Sequence, residues 1–150
     1  MRVILQRVKQ AEVKVKPDYH AEIQEGLLIF LGIADEDTQD DIDWLVRKIS
    51  RMRLFSDEAG KMNLSLLDTG FEAMVISQFT LHASTKKGNR PSFIKAAKPE
   101  LAEPLYEAFA NTLEQNLNKE VKTGIFGGDM QVTLTNDGPV TIIMDSRDKV

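Results

Sequence analysis

The sequence predicts an α+β fold in which a mainly antiparallel or mixed β-sheet has two main helices packed against it. Three observations carry this. Valine-rich alternation fills residues 2–8 and 11–16, a continuous apolar run spans 27–34, and two later segments repeat apolar residues every three or four positions. With 150 residues, 42% of them hydrophobic and 28% charged, the chain can bury one core and is too short for two, so residues 1–150 are read as a single domain.

The elements follow in order. Residues 2–8 and 11–16 are expected to form two short strands, and the run Leu27 to Ala34, bounded by Gly26 and the acids Asp35, Glu36 and Asp37, a third. Thr38 then caps a helix whose stripe is Ile42, Leu45, Val46, Ile49 and Met52. Its acids come early and its bases late, complementing the dipole, and Trp44 falls just off the stripe where partial exposure is expected. Arg53 to Phe55 reads as a strand and Asp57 to Gly60 as a turn, before AMVISQF at 73–79, a buried central strand. Lys86 to Pro91 is polar loop. Pro99 starts a second helix with Leu101, Leu105, Phe109, Leu113 and Leu117 four apart, and Pro104 is close enough to its start to be tolerated. Strands are expected at 120–124, 130–135 and 139–145.

Composition removes several function classes. With no cysteine there is no disulfide framework, thiolate nucleophile or cysteine-bearing metal site, and two histidines cannot build a polyhistidine cluster. No metal and no cofactor is expected. The apolar run at Val3 to Leu5 is too short for a signal core and no stretch approaches membrane-spanning length, so a soluble cytoplasmic protein with no membrane partner is expected. A net charge of −4 argues against a broad nucleic-acid-coating surface, yet Lys86, Lys87, Arg90, Lys95 and Lys98 form a window without an acid, able to hold a few phosphates. The plainer reading is a solvated basic loop.

Conventional ester hydrolysis finds little support. A Ser–His–acid triad needs a histidine near Ser77, Ser84 or Thr80; His82 would share a strand face with Thr80 if the strand continued, though a packing role suits it better. The carboxylates at 35–43 bracket a helix start and read as capping and solubility. Attention falls instead on two separated segments, SQFTL at Ser77 to Leu81 and NDGPVT at Asn136 to Thr141. Singly, these read as a buried strand end and a turn, with base rates favouring a trans Gly138–Pro139 bond.

Jointly they resemble the signature of the D-aminoacyl-tRNA deacylases, enzymes that cut D-amino acids from mischarged tRNA, and the resemblance runs from Met1 to Ser146. It implies a barrel-like sheet and a metal-independent homodimer acting on the aminoacyl-tRNA acceptor end. It also implies that main-chain groups around Ser77, Gln78, Phe79 and Thr80 stabilise an oxyanion while the substrate's 2′-hydroxyl assists, with the Thr80 hydroxyl as a second option for nucleophile. The family's usual tyrosine is His82 here, so the resemblance gives no support to a histidine base.

Chirality selection is implied for Gly138 and Pro139. In the family that pair is cis, reaches across a two-fold axis into the partner's pocket, and blocks an L side chain with two carbonyl oxygens, a test that glycine would pass. Arg7 resembles the arginine that fixes this loop, the plainer reading being a strand-edge ion pair. Phe126, Gly127 and Met130 resemble the region that holds the terminal adenosine, though Phe126 suits the core equally. KGNRPSF at 87–93 also matches the family pattern. Competing readings are a sister tRNA-editing deacylase with relaxed chirality and a non-catalytic nucleic-acid-binding homodimer.

Overall fold

A computed structural model describes residues 1–149. In chain order it contains β1 (Arg2–Val15), β2 (Tyr19–Ile23), β3 (Gly26–Gly32), α1 (Gln39–Arg51), β4 (Phe55–Ser56), β5 (Met62–Leu64), α2 (Leu66–Thr69) and β6 (Glu72–Ser77). A 3₁₀ turn (Phe79–His82), α3 (Pro99–Leu117), β7 (Val121–Thr123) and β8 (Met130–Asp145) complete it. Among the described residues, no helix is long and apolar enough to cross a membrane.

The main sheet has the order β2-β1-β3-β6-β7, with β8 along the other edge of β1 and a small β4–β5 hairpin apart. It is mixed: β1 runs antiparallel to β2, β3 and β8, whereas β3–β6 and β6–β7 are parallel. The Tyr19 hydroxyl donates to the Thr123 carbonyl at 2.6 Å, tying β2 to β7 at opposite ends of that path. The sheet therefore curls into the expected barrel-like form.

Two strand expectations need correction. The strands expected at 2–8 and 11–16 are one strand, β1, ending at Val15, and residues 130–145 likewise form one, β8, where two were expected. Both bend at the same place. Their pairing slips between Gln6 and Val8 and again between Val8 and Gln10, and a bulge of this kind reverses which face of a strand is inward. Val3 and Leu5 accordingly join a core beneath the helices, while Val8, Ala11 and Val13 join a second core on the opposite face. The alternation breaks where the strand bends, which is why it reads as two. The strand expected at 53–55 is confined to Phe55–Ser56.

Both long helices form. Ile42, Leu45, Val46 and Ile49 of α1 are buried as the spacing requires, each contributing roughly 1.5–3 kcal/mol relative to exposure. Half-buried Trp44 lies under the ammonium groups of Lys48 and Lys149, 5.9 and 4.8 Å from its ring. α3 continues through Pro104, whose missing N–H leaves only the exposed Glu100 carbonyl without its usual donor. Its inward face differs from the leucine stripe: Ala102, Tyr106, Phe109, Ala110 and Leu113 are buried, whereas Leu101 is exposed. The alanines let the helix approach the sheet closely, and the Tyr106 hydroxyl donates to the Val75 carbonyl at 2.9 Å.

The acids at 35–43 are not merely solvated. Asp37 and Asp41 are buried, where the Met1 amino group meets Asp37 at 2.5 Å and Ser146 at 2.9 Å, and the Ser146 hydroxyl donates to Asp41 at 2.6 Å. Burial pushes the Asp41 carboxyl up, but Ser146, the Thr38 amide, the terminal amine and Arg147 outweigh it, so its pKa lies below the ordinary value.

Candidate functional site

β6 ends at Ser77, earlier than the expected strand to Phe79, and the chain turns through Phe79–His82 as a 3₁₀ helix. Gly32 permits this. A Cβ there would meet the Gln78 carbonyl and Leu81 Cβ at 3.0 Å and His82 Cδ2 at 3.1 Å, tighter than most Cβ contacts, so glycine lets the turn rest on β3 without displacing it. Arg2 fastens the far end, donating from Nη1 to the Leu81 carbonyl at 2.8 Å while its Nε donates to Asp145 at 3.0 Å. Arg2 was not singled out from the sequence, because nothing local links it to a turn eighty residues away.

The turn sorts the amides. The Gln78 N–H donates to the Leu31 carbonyl at 2.7 Å and is thereby committed to the sheet, which corrects the expectation that it serves as an oxyanion donor. Phe79 and Thr80 open the 3₁₀ turn, and neither of their N–H groups has a partner among the described residues, as expected of the first amides of a helix. The Gln78 side chain donates to the Thr80 hydroxyl at 2.6 Å. That hydroxyl has no basic partner, and neither histidine hydrogen-bonds to Ser77, Thr80 or Ser84 among the described residues. His82 does not share a strand face with Thr80; it is buried, with Nε2 unpartnered, and His20 lies on the outer sheet face 3.1 Å from Glu12.

Ser77, Gln78 and Phe79 form one wall of a cleft of about 570 Å³, a size suited to a small ligand. Phe126, Gly127, Gly128, Met130 and Val132, delivered by the β7–β8 connection and the start of β8, line the same cleft. Buried Leu31, Ile33, Ile76 and Ala97 line its depth, with half-buried Ala96 and exposed Phe93 nearer solvent. Two segments some fifty residues apart in sequence thus meet at one cleft. Phe126 is half-buried in the cleft and also touches the core, its ring centroid 5.8 Å from that of Tyr106. Val132 escaped sequence reasoning, although strand alternation from Met130 through Leu134 points it inward.

Gly138 and Pro139 lie elsewhere. They are exposed at the β8 bend and do not line the cleft of their own chain. The Gly138–Pro139 bond is cis, as is Lys16–Pro17. Gly138 has φ +148°, and the loop is held from two sides. Arg7 Nε donates to the Asp137 carbonyl at 2.8 Å, and the Asn136 amide clamps Val140, accepting from its N–H at 2.8 Å and donating to its carbonyl at 3.1 Å. Asn136, the first residue of the NDGPVT motif, thus serves as a main-chain substitute across a bulge. β8 pairs only with β1 among the described residues, leaving its outer edge free, and Ile143 beside that edge is 66% exposed.

A family model described as D-Tyr-tRNA(Tyr) deacylase matches residues 4–145. The chain belongs to that family. The D-aminoacyl-tRNA deacylases of Flavobacterium johnsoniae and Bacteroides thetaiotaomicron are 60% and 57% identical to this family member, each over 99% of both chains. Among solved structures, the c-Myc DNA unwinding element binding protein superposes with a TM-score of 0.91 at 41% identity, covering 97% of this chain and 98% of its own. A probable eukaryotic D-amino acid tRNA deacylase gives 0.85 at 16% identity, covering 95% and 97%, a likeness of fold alone. The barrel-like α+β architecture is thus the family's.

Proposed function

We propose that this deacylase-family chain hydrolyses the ester of D-aminoacyl-tRNA, and of mischarged glycyl-tRNA, releasing free amino acid and tRNA and sparing L-aminoacyl-tRNA. One observation carries the reading: SQF at 77–79 and Phe126, Gly127 and Met130 line the same cleft. The apolar pocket with an aromatic wall suits the terminal adenosine. The unpaired Phe79 and Thr80 amides suit an oxyanion at the ester carbonyl. Water adds to that carbonyl carbon, the bond to the ribose oxygen breaks, and the leaving oxygen takes up a proton, with the neighbouring 2′-hydroxyl assisting. No side-chain base is needed for so activated an ester.

Selectivity comes from a second copy. Gly138 and Pro139 aim their carbonyls into the partner's cleft, where an L side chain would collide and a D side chain or a hydrogen would not. The exposed loop, rigidly held yet outside its own cleft, supports a homodimer built on a two-fold axis, and the free β8 edge gives that dimer a surface to cover. The whole chain acts as one domain, free of cofactor and metal, in the cytoplasm beside translation.

The name of the 41%-identical c-Myc DNA unwinding element binding protein favours a second reading, a nucleic-acid-binding dimer without catalysis. Incubating the protein with D-tyrosyl-tRNA and L-tyrosyl-tRNA separates the readings. Release of D-tyrosine alone is expected. Equal release of both enantiomers would point to a relaxed editing enzyme, and DNA association without release to the binding module.

A further inference from the structure

We infer that residues 84–98 form a phosphate-binding arm for the duplex acceptor stem of tRNA, standing at the rim of the cleft and separate from its chemistry. The inference rests on reading the cleft as the seat of an aminoacyl-tRNA 3′ end.

The arm is a built feature. Ser84 and Ser92 exchange two main-chain hydrogen bonds, at 2.7 and 2.9 Å, closing residues 85–91 into a projecting loop that turns at Gly88, φ +66°. Its return leg is fastened to the cleft at three points. The Phe93 ring packs edge-on against Phe79 with centroids 5.1 Å apart, Ala96 bridges Ala34, and the Ala97 N–H donates to the Ile33 carbonyl at 2.9 Å. Phe93, Ala96 and Ala97 themselves line the cleft, so the arm's position relative to the mouth is fixed.

Charge distinguishes it. Lys86, Lys87 and Arg90 sit on the projecting loop and Lys95 and Lys98 on the return leg, all exposed. None has a carboxylate within ion-pair distance among the described residues. The cations of the sheet, Arg2, Arg7, Lys9, Lys14 and Lys122, each have an acid within 4 Å, and unpaired ones such as Arg47, Lys48 and Arg51 lie on α1, which contributes nothing to the cleft lining. A protein of net charge −4 therefore keeps five unneutralised cations beside the mouth of its cleft. Self-repulsion within the window is offset when phosphates replace its counterions.

Geometry favours the stem over other parts of the nucleic acid. A cleft of about 570 Å³ admits a terminal nucleoside and its ester, not a duplex, so base pairing must begin outside the rim. The first surface that such a duplex meets on the Phe93 side is the arm. Contacts to phosphate position a nucleic acid without reading its sequence, which suits an enzyme serving many tRNAs.

The test uses uncharged tRNA and the triple variant Lys86→Gln, Lys87→Gln, Arg90→Gln, whose thermal midpoint should match that of the unaltered protein because these side chains have no partners to lose. Equilibrium binding is measured across salt concentrations. The variant should bind on the order of tenfold more weakly at about 0.1 M salt, and its slope of log affinity against log salt should be shallower by about 2–3. With D-aminoacyl-tRNA, KM should rise and kcat hold, whereas hydrolysis of a D-aminoacyl ester of adenosine alone should be unchanged. Lys14→Gln, removing a cation paired with Glu12, should behave as unaltered. An unchanged salt slope would overturn the inference, as would an equal loss on the adenosine ester. Failure of the unaltered protein to cleave either ester would sink the functional reading instead, while the binding slopes still judge the arm.

Discussion

Arg7 holds the main chain of Asp137: its Nε donates to the Asp137 carbonyl at 2.8 Å, and its Nη1 extends the same rigid guanidinium to the Leu54 carbonyl at 2.6 Å. One side chain thus joins the β8 bend, immediately before Gly138, to the segment after α1. The Arg7 side chain is only 11% exposed, so these charge-assisted bonds are shielded from water.

Arg7→Ala should destabilise the protein by about 2–3 kcal/mol, because two carbonyls lose a charged donor. Turnover of D-aminoacyl-tRNA should fall at least tenfold and the ratio of D to L hydrolysis should narrow. Arg7→Lys should not restore it, since a single ammonium cannot reach two divergent carbonyls. Thermal melts alongside D- and L-substrate kinetics check this.

Gly138→Ala should be worse than its small volume suggests. A Cβ would lie 2.7 Å from Val140 Cγ2 and 2.8 Å from the Val140 nitrogen, and φ +148° is unfavourable for any L side chain. A cost of about 1–3 kcal/mol is expected, lowering the melting midpoint by several degrees. Activity on D-substrates should fall more than tenfold, while the far-ultraviolet circular dichroism spectrum stays native.

Thr80→Ala should turn over D-aminoacyl-tRNA within about threefold of the unaltered rate, since the hydroxyl has the Gln78 amide as donor and no base to take its proton. A loss of several orders of magnitude in single-turnover assays would instead make that hydroxyl the nucleophile.

Acid should unfold the protein through the cluster at the start of α1. Burial raises Asp145 as it raises Asp41, but in Asp145 the Arg147 amide and Arg2 prevail and its pKa also falls below the ordinary value. A carboxylate lowered by folding stabilises fully above its unfolded pKa of about 3.9, and that contribution disappears as pH drops through the lower folded value. The melting midpoint should therefore be flat from pH 7 to about 5 and fall steeply below 4. Ser146→Ala should lower the neutral plateau and flatten the acid slope, because the Asp41 hydrogen bond is then missing at every pH.

The sequence by itself determined much of this protein. Period-2 and period-3.6 patterning located the strands and both long helices, Thr38 located the start of α1, and the separated SQFTL and NDGPVT strings identified the family. These are local signals: side-chain alternation, a cap, a string of residues. Only tertiary structure decided that residues 2–15 are one bent strand, that Tyr106 rather than Leu101 faces the core, and that the Gln78 amide belongs to Leu31. It also decided that Arg2 pins Leu81 and that Phe126 and Ser77 line one cleft. Such facts depend on where the strands bend and which carbonyl a donor finds across the sheet, and contacts between residues fifty or eighty positions apart leave no periodic trace along the chain.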